Sequence, residues 1–227
     1  MRPGGTRICL VGATGLTGNA LIAQAVGRED VHIVGIARRE TKLPPGARME
    51  MLVGEPIDWP LLIRAARADV LVCALGTTMR QAGDEAAFRA IDHDLVRFCA
   101  EAARAAGIEH MILISSVGAD RASRHFYLSV KGETEQALGK LGFRRLDILR
   151  PSLLRGHRWH RRPGEAIAQM LAPMLGVLVL HGKYRAYRSI SPAKVAHAIL
   201  ALAREKARGR FVHEYDAMQR AIRRIGD

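Results

Sequence analysis

The stretch ICLVGATGLTGNA, Ile8 to Ala20, decides the fold. Ile8 to Val11 is a short apolar run that reads as a buried strand, and Leu16 to Val26 has the spacing of an amphipathic helix closed by Gly27. Between them Gly12, Gly15 and Gly18 spell G-x-x-G-x-x-G. A tight turn after a parallel strand needs backbone freedom, and a pyrophosphate approaches a main chain closely only where no side chain intervenes; Gly12 and Gly15 fit those tasks. Gly18, one turn into the helix, lets that helix sit close on the strand. The unpaired N–H groups from Thr14 to Leu16 then face phosphates, so a dinucleotide is the expected ligand.

Working outward, Val31 to Ala37 reads as a second strand, followed by Arg38, Arg39 and Glu40. An NAD-binding unit places an acid near this point on the ribose 2′-hydroxyl, whereas a guanidinium pairs with a 2′-phosphate. Arg38 and Arg39 therefore favour NADP(H), and Glu40 keeps NAD(H) open. Further strands are read at Glu50 to Val53, Asp69 to Leu75, Glu109 to Ser115 and Leu146 to Arg150. Helices are read at Trp59 to Ala66 and Asp84 to Ala106. Beyond Pro151 the pattern gives a helix over Ala166 to Leu180, a short strand over Tyr187 to Ile190, a helix over Ala193 to Ala203 capped by Ser191 with Pro192 first, a strand over Gly209 to His213 and a helix over Tyr215 to Ile225. Alternating strands and helices predict an α/β fold, a doubly wound parallel sheet of Rossmann type with small C-terminal additions. At 227 residues the chain fits one NAD(P)-binding domain over 1–227, with 151–227 forming its substrate-side elaboration.

Composition narrows the function classes. Three cysteines, Cys9, Cys73 and Cys99, show no C-x-x-C spacing and read as reduced, buried thiols. The first residues hold too few apolar side chains for a secretory signal, and the run from Ala166 to Leu180 is broken by Gln169, Pro173 and Gly176, short of a membrane span. A cytoplasmic protein without a transmembrane segment is the expectation. His157 and His160 have no companions to complete a metal set, so no metal site is expected. The net charge of +13 is uneven: residues 1–149 carry 19 Lys and Arg against 17 Asp and Glu, and residues 150–227 carry 16 against 5. The basic cluster His157 to Arg162 has one aromatic residue and no recognisable nucleic-acid module around it. An acidic protein partner or an anionic substrate is the alternative to a solvated loop, and nucleic acid is not expected. Oligomeric state is left open.

The chemistry-bearing pattern follows the fifth strand, which ends in Ser115 and Ser116. Downstream, HFYLSVKGETEQAL places Lys131 four residues after Tyr127, on one helix face. A nearby ammonium favours phenolate, which brings a tyrosine toward the range where it exchanges a proton with a carbonyl or an alcohol.

With VGATGLTG, CALGTT, MRQAGDEAAFRAIDHDLV, LISSVGAD, YLSVKGETEQAL, LRPSLLRG and RRPGE, the chain resembles the atypical short-chain dehydrogenases/reductases, and within them the small Tat-interactive oxidoreductase-like branch. The resemblance implies bound NADP(H) and a reductase triad of Ser116, Tyr127 and Lys131. It also implies cofactor contacts from Gly12, Thr14, Gly15, Leu16, Gly18, Arg38, Arg39, Leu75, Gly76, Ser115, Tyr127 and Lys131, and from Pro151, Ser152, Leu153 and Leu154 beside the nicotinamide. Ser116 would hold a carbonyl oxygen, Tyr127 would donate the proton, and Lys131 would bind the ribose hydroxyls. One departure stands out: members carry an asparagine on the long helix that links a water relay to the lysine, and this chain has Ile91, Asp92 and His93 there. Two functions follow as expectations, a carbonyl or alcohol oxidoreductase, or an NADP(H)-dependent regulatory or protein-binding module with little turnover.

Overall fold

The structure, a computed structural model, describes residues 5–41, 43–47, 49–152 and 187–224. Seven strands, β1 (Thr6–Val11), β2 (Val31–Ala37), β3 (Glu50–Val53), β4 (Val70–Cys73), β5 (His110–Ile114), β6 (Arg145–Leu149) and β7 (Gly209–His213), form one sheet in the order β3-β2-β1-β4-β5-β6-β7. Every neighbouring pair is parallel, with Ile8 opposite Ile33 and Val70, and His110 opposite Arg145. The chain leaves β1 toward β2 and β3, then returns to β4 on the other side. The order reverses between β1 and β4, and open parallel sheets bind ligands at such a reversal, outside the carboxyl ends of the strands.

Strands covered on both faces must be apolar throughout. In β1, Ile8 and Leu10 enter one core with Val70, Val72 and Ile112, while Cys9 and Val11 enter the other with Leu71, Cys73 and Leu113. The first core is covered by α1 (Leu16–Ala25), and the second by α2 (Trp59–Ala66). A short helix α3 (Met79–Ala82) and α4 (Glu85–Arg89) follow β4, each capped by a side chain: Thr78 accepts from Gln81 N–H and Asp84 from Ala87 N–H. The chain then makes a wide turn over Ala90–Leu95 and continues as α5 (Val96–Ala105), which packs with α6 (Phe126–Gly139). After the undescribed segment 153–186 come α7 (Pro192–Leu202) and α8 (Tyr215–Arg223). Ser191 Oγ accepts the Lys194 N–H at 3.3 Å, with Pro192 at the first helical position. Val195, Ala196, Ala198, Ile199 and Leu200 are all fully buried between α1, α8 and the sheet.

Two expectations change. Asp84 to Ala106 is not one regular helix, because the wide turn at Ala90–Leu95 interrupts it and α3 precedes it. Tyr187 to Ile190 forms no strand; only Ile190 makes an isolated bridge, since the chain must turn at once into the Ser191 cap. The helix expected over Ala166 to Leu180 and the basic cluster His157 to Arg162 lie outside the described residues. Among the described residues no helix is long and apolar enough to cross a membrane, and no group of three or more His, Cys, Asp and Glu could hold a metal ion.

Candidate active site

Parallel strands bring many of the sequence-read site residues to one edge of the sheet, because these stand just past the strands' carboxyl ends. Gly12 follows β1, Arg38 and Arg39 follow β2, Leu75 and Gly76 follow β4, Ser115 and Ser116 follow β5, and Pro151 and Ser152 follow β6. Leu153 and Leu154 lie outside the described residues.

The glycine turn is built on backbone clearances. Gly12 takes φ +89°, and a Cβ there would stand 2.6 Å from the main chain of Ala74 at the exit of β4. At Gly18 a Cβ would fall 2.2 Å from the Gly12 carbonyl oxygen, so α1 reaches its place only with hydrogen at this position. Gly15 N–H closes the turn on Gly12 C=O at 3.1 Å. Gly15 is also the N-cap of α1 and supplies no side-chain acceptor, so the N–H groups of the first helical turn stay unclaimed by a cap, next to exposed Thr14 and half-buried Leu16. Free N–H donors and a glycine floor suit a pyrophosphate, so these residues fit a dinucleotide. Arg38, Arg39 and Glu40 are exposed at the mouth of β2, and neither arginine pairs with a carboxylate among the described residues.

Lys131 occupies the middle of the edge, on α6, with a side chain only 7% exposed. Its Nζ lies 2.7 Å from Oδ1 of Asp92, a carboxylate with no exposure at all. Asp92 Oδ2 accepts the Thr77 N–H at 2.8 Å, and Thr134 Oγ1 donates to the Asp92 carbonyl at 2.9 Å. A Cβ on exposed Gly76 would stand 3.5 Å from Asp92 Oδ1 and 3.9 Å from Lys131 Nζ, ordinary contact distances, so the pair lies directly beneath this glycine. Burial pushes the lysine's pKa down, but the Asp92 carboxylate, with Tyr127 and Cys73, outweighs it and holds the ammonium above its ordinary value.

Tyr127 is half-buried one turn before Lys131, its ring tilted against fully buried Phe88 at 5.6 Å between centroids. Ser116 is half-buried, and its Oγ donates to the Val117 carbonyl at 3.3 Å; no hydrogen bond joins it to Tyr127 among the described residues. Ser115 turns the other way: Oγ donates to Oε1 of buried Glu135 at 2.6 Å, and its N–H goes to Leu149 C=O. Arg150 completes that contact with Nε and Nη2 at 2.9 and 2.6 Å from the Glu135 carboxylate, which raises the arginine's pKa. Ser115 thus knits β5, β6 and α6 together behind the site. Buried Pro151 accepts the Val117 N–H at 3.1 Å, and Ser152 Oγ donates to the Arg188 carbonyl.

Two features escape a sequence reading. The Asp92–Lys131 pair is one, since the missing asparagine is legible and the inward-turned carboxylate is not. The second lies away from the site: fully buried Asp147 on β6 receives His110 Nε2 at 2.8 Å, His213 Nε2 at 2.7 Å and a two-pronged contact from Arg145 at 2.6 and 2.8 Å. An acid inside the strand pattern RLDIL was its only signal. All three cysteines are buried and free, and burial pushes the Cys9 and Cys73 thiols up to about 12 and about 11.

A family model described as NAD(P)H-binding matches residues 12–155. The chain is 35% identical over 176 residues to "Protein fmp52, mitochondrial" of Emericella nidulans, covering 74% of this chain and 76% of that one. To "Protein HTATIP2" of Rattus norvegicus it is 37% identical over 166 residues, covering 71% and 68%. Among solved structures, a Bacillus halodurans protein assigned to the NAD-dependent epimerase/dehydratases superposes with a TM-score of 0.68 at 20% identity, over 97% of this chain and 100% of that one. The Bordetella bronchiseptica enzyme WbmH in complex with NAD+ gives 0.64 at 14% identity, over 92% and 75%. These structural likenesses support the fold. The relatives named mitochondrial, at 31% to 35% identity, overturn the cytoplasmic expectation. That expectation rested on the lack of a secretory apolar run and of paired cysteines. Neither feature distinguishes the cytoplasm from a mitochondrial compartment.

Proposed function

Because the chain belongs to the NAD(P)H-binding family, as an atypical short-chain dehydrogenase/reductase of the HTATIP2 branch, we propose that it is an NADP(H)-dependent oxidoreductase acting on a small carbonyl or alcohol. The observation that carries the reading is the buried Lys131 ammonium one turn from Tyr127, at the edge that also holds the glycine turn. The uncapped α1 N-terminus and the floor at Gly12 and Gly15 would hold the pyrophosphate, and Arg38, with Arg39, a 2′-phosphate. Leu75, Gly76, Pro151 and Ser152 would line the same edge. When bound, the cofactor supplies or accepts the hydride. Tyr127 Oη gives its proton to the substrate oxygen in reduction and takes it back in oxidation. Ser116 Oγ turns from the Val117 carbonyl to orient that oxygen, and the Lys131 charge favours the phenolate left behind.

Calorimetry with NADPH and NADH, followed by a carbonyl panel on wild type and Tyr127→Phe, tests this. Firm NADPH binding and reduction that collapses in Tyr127→Phe support it; activity unchanged in the variant removes the triad. A second reading, a cofactor-dependent regulatory module, is favoured by one observation: Lys131 is already engaged by Asp92. Tight NADPH binding with no turnover on any carbonyl would select it.

A further inference from the structure

Asp92 is the carboxylate buried deepest at the site, and the triad gives it no task. It stands in the wide turn Ala90–Leu95, and a turn of this kind shifts the register of the side chains around it, as such turns commonly do where helices build sites. Three bonds converge on the residue, from the exit of β4 through Thr77, from α6 through Lys131, and again from α6 through Thr134. Apart from the ammonium, Oδ1 has no hydrogen-bond partner among the described residues. The charged and titratable groups that face Lys131 are Asp92 from the wide turn, Tyr127 from its own helix and Cys73 from β4. Of these three side-chain types, only a carboxylate carries the negative charge that pairs with an ammonium. An ammonium buried to this degree without a counter-charge gives up its proton readily.

We propose that Asp92 is a positioning residue: it keeps Lys131 charged and fixed beneath exposed Gly76, in the place from which that lysine meets the ribose of a nicotinamide nucleotide. The proposal rests on the cofactor reading above. The direct ion pair sets the lysine's state through a buried neighbour and not through solvent.

Asp92→Asn keeps an acceptor for the Thr77 N–H and removes the charge. Nitrogen-15 lysine NMR without cofactor, with Lys131 assigned by its loss in Lys131→Met, should show Lys131 titrating at lower pH in Asp92→Asn than in wild type. Calorimetry should show NADPH affinity flat in wild type between about pH 7 and 9 and falling in Asp92→Asn by up to about tenfold per pH unit above the lysine's new midpoint. If Asp92→Asn alone fails to fold, Asp92→Asn/Lys131→Met, which strands no charge, should fold and exceed both single variants in stability. A merely structural Asp92 would weaken NADPH equally at every pH and leave the Lys131 titration where it was. Either result overturns the proposal, as does a double variant no more stable than the singles. Absence of NADPH binding by wild type would remove the cofactor reading and the proposal together, whereas an unshifted Lys131 with normal wild-type binding removes the proposal alone.

Discussion

Gly18→Ala tests the glycine turn where the structure is least forgiving. The added Cβ would stand 2.2 Å from the Gly12 carbonyl oxygen, 2.8 Å from Ala13 Cα and 2.9 Å from Ala13 C. All three are backbone atoms, so no side chain can swing aside. Relief to ordinary contact at 3.4 Å needs 1.2 Å of movement, 3.4 minus 2.2. That movement must come from lifting the N-terminus of α1 off β1, against its packing on α7. Overpacking of this kind costs about 1–3 kcal/mol. The same lift carries the free N–H groups about 1 Å farther from a bound phosphate, beyond hydrogen-bond reach. Losing one charge-assisted bond of about 1.5–3 kcal/mol weakens NADPH roughly tenfold to 150-fold. Gly27→Ala, beyond the other end of α1, is the control. Its φ of +76° strains alanine, but nothing lies within 4 Å of the new Cβ, so it should lose about 1 kcal/mol and keep its affinity. Thermal melts and calorimetry on both variants give the two quantities. Wild-type stability and affinity in Gly18→Ala would refute the close approach of helix and strand.

Asp147→Asn should cost about 3–5 kcal/mol, since it leaves the buried Arg145 guanidinium without its counter-charge. Burial raises the Asp147 carboxyl, but bonds from His110, His213 and Arg145 outweigh it and hold it well below the usual range. Its contribution is therefore complete above the unfolded value of about 3.9 and lost as pH falls below it; acid melts should show that loss in wild type and not in Asp147→Asn. Arg38→Ala should weaken NADPH by about 1–3 kcal/mol in calorimetry and spare NADH, and equal wild-type affinities for the two cofactors would remove the 2′-phosphate assignment. Native protein should react slowly with a maleimide at Cys9, Cys73 and Cys99, because the thiols are buried and burial raises all three pKa values. Rapid stoichiometric labelling before unfolding would show that the cores open.

The doubly wound sheet was legible because its signals are local. Apolar runs such as CLV and VLVC are buried on both faces, and each turn glycine or cap sits beside the element it starts or stops. The α2 bounds and the Ser191 cap with Pro192 agree with the sequence reading for the same reason. Tyr127 and Lys131 could be paired from the sequence since one helical turn relates them. Asp92 could not, because its partner lies on another helix and a wide turn decides which way it points; the 3.6-residue period assumes regular winding. Ser115 illustrates the opposite limit. A serine at a strand end reads as a ligand contact, yet its hydroxyl serves Glu135, a buried acid that helical periodicity treats as one more solvated charge.

The most direct test of the account is the rate of NADPH oxidation across a carbonyl panel in Tyr127→Phe against wild type, with NADPH affinity measured on the same samples. The phenylalanine keeps the ring against Phe88 and removes the phenol proposed to donate the proton. NADPH affinity should survive and reduction should fall by about 100-fold or more. Reduction at the wild-type rate in Tyr127→Phe, with affinity intact, would contradict it.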